Sequence, residues 1–150
     1  MSIVKHLKKS NFPSSRKKQY YRKNQRISTY LSTIIFASFI GTYLDLLLVG
    51  AGLYDYPRRP FPEIFTINIL FTLCILPLFY LIIIFILKRL HQLPRYLFLI
   101  ICSLFVYIAE HAAEQYGLFS HTSYWKLEYS LFGYFLFFIV IWKFYSWLED

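Results

Sequence analysis

The run ISTYLSTIIFASFIGTYLDLLLVGAGLY, residues 27–54, decides the fold. It contains no Lys or Arg, and its single charge is Asp45. As a helix rising ~1.5 Å per residue, it is longer than the ~30 Å hydrocarbon core of a bilayer. Thr33, Ala37, Gly41 and Asp45 recur every four residues on one slowly drifting stripe. Small residues at that spacing let a second helix approach closely. The stripe therefore turns Asp45 toward a helix bundle rather than toward lipid.

Three further apolar runs follow, at about 64–87, 96–116 and 127–148. The first has no charge. The second starts very apolar and ends with Glu110, His111 and Glu114. The third carries Glu128 and Lys143 near its ends. Each approaches or exceeds the roughly 20 apolar residues of a spanning helix. Outer-membrane barrel strands are shorter and alternate in polarity, unlike these continuous runs. The expected fold class is all-α, a polytopic transmembrane bundle of four helices over residues 27–150, with a basic N-terminal arm over 1–26.

Composition agrees. The 150 residues are 57% hydrophobic, 22% aromatic and only 16% charged. A soluble domain is about 45–50% apolar and about 25% charged, and one of this size cannot hide so much apolar surface. The arm holds Lys5, Lys8, Lys9, Arg16, Lys17, Lys18, Arg22, Lys23 and Arg26 with no acid, and Pro13, Ser14 and Ser15 read as breakers. A secretory signal has a shorter charged part and a shorter apolar run. The arm is expected to be disordered or surface-bound, with the next segment a retained span. It suits anionic lipid at about 1 kcal/mol per basic residue near the surface. Lipid attraction and topology setting account for its charge without nucleic acid as a partner.

The connectors are short: DYPRRPFPE (55–63), KRLHQLPR (88–95) and GLFSHTSYWK (117–126). Prolines 57, 60 and 62 forbid regular helix in the first. With four spans, Lys88, Arg89, Arg95 and Lys143 share a side with the arm, against Arg58, Arg59 and Lys126 opposite. The positive-inside rule then places both termini in the cytoplasm of a cell-membrane, multi-pass protein. Tyr54, Tyr56, Tyr124 and Trp125 would mark the outer boundary, and Tyr30, Tyr96, Trp142 and Trp147 the inner one. Cys74 and Cys102 differ in expected depth by roughly 10 Å, too far for a disulfide, and read as small packing residues.

Ionisable groups inside a membrane are costly and each needs an account. Asp45, Glu110, His111 and Glu114 fall at one depth, in the outer half of the bilayer. Asn68 enters helix two at that level, and Glu63, Arg58 and Arg59 approach it from the loop. Tyr107, Glu110, His111 and Glu114 occupy i, i+3, i+4 and i+7. The expected intramembrane polar cluster is Asp45, Asn68, Glu110, His111 and Glu114, with Arg58, Arg59 and Glu63 beside it. Mutual pairing that holds the bundle together is one reading. A proton- or cation-coupled site, a pocket for a small apolar ligand with the carboxylates at its polar end, and a mixed-ligand metal site from His111, Glu114 and Asp45 are others. The signatures of a nucleophile elbow, a zincin helix, a P-loop and a dinucleotide fold are missing. No catalytic residue, resident metal or cofactor is assigned.

Residues 41–77, GTYLDLLLVGAGLYDYPRRPFPEIFTINILFTLCILP, and 124–148, YWKLEYSLFGYFLFFIVIWKFYSWL, together resemble a group of uncharacterised small multi-pass membrane proteins of spore-forming Firmicutes. The resemblance implies a bacterial inner-membrane protein of four to five helices. More faintly, Asp45, Gly52, Tyr54 and Pro62-Glu63 resemble the membrane-embedded lycopene cyclase-type domains, which carry an Asp, a Gly-x-aromatic and then a Pro-x-Glu-Glu run. Here a single Glu63 follows Pro62 directly, and Ile64 replaces the second acid. That resemblance implies a helical bundle with carboxylates facing an apolar pocket. The expected function is a non-enzymatic membrane protein acting through helix packing, self-association or a membrane-protein partner. The competing expectation is a small transporter or apolar-ligand-binding bundle using the carboxylate/His cluster. A ligand-sized cavity beside Asp45 would favour the second.

Overall fold

The computed structural model of the chain describes residues 15–149. The first fourteen residues of the basic arm, with Lys5, Lys8, Lys9 and Pro13, lie outside the described residues, as does Asp150. The described chain is four helices tied at one end by a two-residue ribbon. In order they are α1 (Ser15–Gly50), β1 (Tyr54–Asp55), a π-turn (Phe71–Ile75) running into α2 (Leu76–Leu87), α3 (Gln92–Gln115), β2 (Ser120–His121) and α4 (Leu127–Glu149). Helix α1 packs on α2 and α4, and α4 packs on α3.

Helices α1, α3 and α4 are long and apolar enough to cross a membrane. Their outer faces present large apolar side chains such as Leu31, Phe39, Ile101, Phe105 and Leu136. The core is a mid-bundle layer in which Ala37 of α1, Tyr80 and Ile83 of α2, Leu99 of α3 and Phe138 and Ile141 of α4 are buried together. Thr33 and Ala37 of the small-residue stripe are in the interior as its spacing predicts, and Thr29, one turn earlier, is buried with them. At Gly41 an added Cβ would sit 3.3 Å from Leu76 Cδ1 and 3.6 Å from the Phe137 ring. Asp45 continues that stripe one turn further.

Two boundaries differ from expectation. Helix α1 starts at Ser15, so residues 15–26 of the arm are helical and continuous with the first span. Apart from Ser15 itself no breaker follows Pro13 and Ser14 in that stretch, so the helix carries on upstream. The second span was expected over 64–87, but regular helix begins only near Ile69. The proline loop extends into it: Phe61, between two prolines, has φ 52°. The helix starts where Asn68 Oδ1 accepts the Phe71 N–H at 3.2 Å, an N-terminal cap. The π-turn follows because Pro77 offers no N–H and its ring would crowd the carbonyl one turn back. Leu76 N–H instead reaches Phe71 O. From Phe71 to Leu87 the helix is apolar but shorter than the other three.

At the end of the bundle holding the α2–α3 connector, Lys88 pairs with Glu149 and lies over the rings of Tyr30 and Tyr145 at 5.3 and 5.2 Å. Arg95 donates to the terminal carbonyls of Leu87 and Leu90 and stacks on Trp142 at 4.3 Å. Cys74 and Cys102 are both free.

Candidate functional site

The opposite end is built by two helices that stop in the same way. At α1, Gly52 has φ +68° and donates to Val49 O, while Leu53 N–H reaches back to Leu48 O. At α3, Gly117 has φ +67° and donates to Glu114 O, while Leu118 N–H reaches Ala113 O. Both are Schellman terminations, which need a left-handed residue that glycine adopts at no steric cost. They turn the two chains toward each other. Tyr54 then pairs with His121 and Asp55 with Ser120, antiparallel. Thr122 secures the ribbon through its N–H to Leu53 O at 3.1 Å and its hydroxyl to Gly52 O at 3.0 Å.

This ribbon delivers polar partners to the two buried carboxyls. Tyr54 donates its phenol to Asp45 Oδ1 at 2.5 Å, and Tyr56 donates to both Asp45 oxygens at 3.2 Å. Burial first, and then the charge of Asp45, hold both phenols well above the ordinary tyrosine range, so they remain protonated donors. Glu110 Oε1 accepts from Ser130 Oγ at 2.7 Å and faces His121 Nε2 at 2.7 Å. Ser130 in turn accepts the Trp125 indole N–H at 3.1 Å. His121 Nδ1 lies 3.2 Å from Glu114 Oε1. A neutral imidazole donates from one nitrogen only. With a carboxyl oxygen at each nitrogen, the bridge requires a proton on both nitrogens or one on a carboxyl. Glu110 Oε2 is buried and has no hydrogen-bond partner among the described residues.

Asp45 and Glu110 line one cavity of about 320 Å³. Its walls are Ile40, Gly41 and Leu48 of α1, Gly133, Tyr134 and Phe137 of α4, Phe71 at the start of the π-turn and Leu76 at the start of α2. Tyr54, Tyr56, Phe119 and Trp125 roof it, packed ring on ring with centroid separations from Tyr54 of 5.7, 4.9 and 5.9 Å. Leu44, Tyr129, Leu136 and Val140 also line it and are exposed. The cavity therefore opens sideways between α1 and α4, onto the apolar exterior of the bundle.

The expected cluster is only partly assembled. Asp45, Glu110 and Glu114 lie at the same end of the bundle. His111 does not join them: it is exposed and faces Gln115 at 3.4 Å. A one-residue step turns a helix by about 100°, so the face holding Glu110 and Glu114 excludes residue 111. Asn68 serves its own helix start rather than the cluster. Arg59 donates to Phe65 O and Tyr56 O, both at 2.7 Å, pinning the proline loop, and Arg58 reaches Tyr116 O at 3.4 Å. Glu63 is exposed. Among the described residues no three or more His, Cys, Asp or Glu are placed to hold a metal ion, and His111, Glu114 and Asp45 do not converge.

The residues missed from sequence are Tyr54, Tyr56, Ser130 and above all His121. Tyr54 and Tyr56 read as interfacial aromatics, although their spacing of two put both on one side of an extended segment. No protein-family model, curated protein or solved structure matches the chain.

Proposed function

We propose that this is an integral membrane protein that binds a small amphiphile drawn from the bilayer, in the cavity between α1 and α4, without transforming it. The observation that carries this reading is the sideways opening. An apolar guest would enter from lipid and set its polar end against Asp45 and Glu110. Such a cavity lies within the size range of ligand pockets, about 300–1,000 Å³, with an apolar lining and few polar groups. A bundle acting only through packing would gain nothing from a void beside two carboxyls, which are costly to bury.

All four helices cross in this proposal, with both termini cytoplasmic and the roofed end outside. The apolar outer faces of α1, α3 and α4 support the membrane location. In the irregular 64–68 stretch Ile67 is packed inside protein at 1% exposure while Ile64 is 72% exposed, so this stretch belongs at the membrane boundary rather than in the hydrocarbon core. The basic arm would hold anionic headgroups on the cytoplasmic face. The kinship with small membrane proteins of spore formers belongs to the same proposal.

Gly133 lines the cavity, and an added Cβ there meets nothing within 4 Å. Gly133→Phe should fill the space without touching the polar groups. Extraction of the wild-type protein from native membranes, with mass spectrometry of what co-purifies, should find a small amphiphile that the variant lacks. The same bulk lipids in both preparations would refute the binding role.

A further inference from the structure

We infer that the guest carries an amine: its polar end is an N–H-bearing ammonium that donates to Oε2 of Glu110. The inference rests on the pocket reading above and names the ligand class for that site.

Three features point the same way. The first is the unused acceptor. Glu110 keeps only 8% of its side chain exposed and lines the cavity; one oxygen accepts from Ser130 and faces His121, while the other, with the Tyr134 phenol beside the carboxyl, has no partner within hydrogen-bond distance among the described residues. A buried carboxylate oxygen without a donor costs far more than a surface one, and a donor brought by the guest recovers that cost. An acceptor head such as an ester or a carboxylate could not do so.

The second is charge. Two carboxyls, Asp45 and Glu110, line the cavity, with Glu114 behind them, and among the described residues no Lys or Arg lines it. Arg58 and Arg59 are engaged with the loop backbone. His121 is the basic group in direct reach of a carboxyl here, and it is shared between Glu110 and Glu114. A cationic guest balances the excess of acid, whereas an anionic one adds to it.

The third is the aromatic roof. Tyr54, Tyr56, Trp125 and Tyr134 surround the same space. Their ring faces attract a cation, more strongly where water is excluded. The Asp45 oxygens already hold two phenols, so the open acceptor is on Glu110, and the guest needs N–H rather than charge alone.

The probes are dodecylamine, dodecanol, dodecyltrimethylammonium and dodecanoate, which share a tail and differ in head. Each is titrated into phosphatidylcholine nanodiscs holding the wild-type protein or Gly133→Phe, with thermal unfolding as readout. The variant subtracts effects of bulk partition. Dodecylamine should stabilise the wild type saturably and bind about tenfold or more tightly than dodecanol, as a charge-assisted hydrogen bond would give. It should also outbind dodecyltrimethylammonium, which has charge but no N–H, while dodecanoate should bind least. Glu110→Gln should bring dodecylamine down to the affinity of dodecanol in the same variant. If Glu110→Gln does not fold, the order of the four probes on the wild type decides. Dodecanol or dodecanoate equalling dodecylamine, with Gly133→Phe abolishing both, would overturn the amine and leave the pocket. Quaternary and primary amines binding alike would overturn the hydrogen bond to Glu110. Identical shifts in the wild type and Gly133→Phe for every probe would overturn the pocket itself.

Discussion

Nε2 of His121 lies 2.7 Å from Oε1 of Glu110, so a residue of the α3–α4 connector closes over a carboxyl on α3 eleven positions earlier. The other ring nitrogen faces Glu114 at 3.2 Å. Both Glu110 and His121 keep only 8% of their side chains exposed. Removing the imidazole would leave Glu110 without it in a poorly solvated place and take a partner from Glu114, which is 36% exposed.

His121→Ala should therefore destabilise the protein by about 2 kcal/mol or more, the usual range for hydrogen bonds to charged groups. His111→Ala, on an exposed ring, should stay within about 0.5 kcal/mol. Thermal unfolding in one detergent compares them. Equal losses would return His111 to the cluster.

Asp45, Tyr54 and Tyr56 form a second unit. Tyr54→Phe should cost about 1–3 kcal/mol, because it strips a donor from a buried carboxyl. In an Asp45→Asn background the same change should cost less, with a coupling of about 0.5–3 kcal/mol. Additive losses would mean that the 2.5 Å contact has no energetic weight.

Because both phenols are held above the tyrosine value of 10.0, their contribution to pH dependence has a definite sign. Below that value folded and unfolded chains are both protonated, and stability from these groups is flat. Above it the unfolded chain loses protons that the folded chain keeps, so stability falls, by up to about 1.4 kcal/mol per pH unit for each tyrosine. Wild type should lose stability between pH 10 and 11 more steeply than Tyr54→Phe/Tyr56→Phe. Parallel slopes would show that the phenols are not shielded.

Much of the bundle was legible because helix periodicity is local. The stripe Thr33, Ala37, Gly41 announced the buried face of α1, and the i, i+4 spacing of Glu110 and Glu114 announced theirs. His111 was misplaced by one position, which on a helix is a quarter-turn and more. Asn68 was read by depth alone, although an Asn ahead of an apolar run also reads as a cap. His121 was out of reach because its place depends on two loops, about seventy residues apart in the chain, meeting as a two-residue ribbon. Gly52 and Gly117, each just past a helix end, were the local hint that both chains turn there. Helix α1 starts upstream of the expected span because basic side chains do not break a helix, and residues 15–26 are helix-compatible throughout.

At Gly41 an added Cβ would already sit 3.3 Å from Leu76 of α2. Gly41→Leu should force Leu76 and Phe137 to move and cost about 1–3 kcal/mol, as overpacking does. Leu47→Ala, at a side chain 48% exposed, should cost markedly less. Equal losses of thermal stability in detergent would remove the stripe as the packing face.

Orientation is open to a direct check with thiols on a background lacking Cys74 and Cys102. Tyr124→Cys, at a position 83% exposed on the roofed end, should react with an impermeant reagent in intact cells. Ser14→Cys should not. The reverse pattern would invert the topology.

The pocket itself is tested most directly by fluorescence. Trp125 lines the cavity, and Trp142 and Trp147 can be replaced by Phe so that its emission stands alone. In nanodiscs, 2-bromododecan-1-ol, whose bromine sits beside the polar head that faces the roof, should quench Trp125 saturably, and adding Gly133→Phe should abolish the saturable part. Quenching that rises linearly and equally in both proteins would mean that no guest enters between α1 and α4, and would contradict the account.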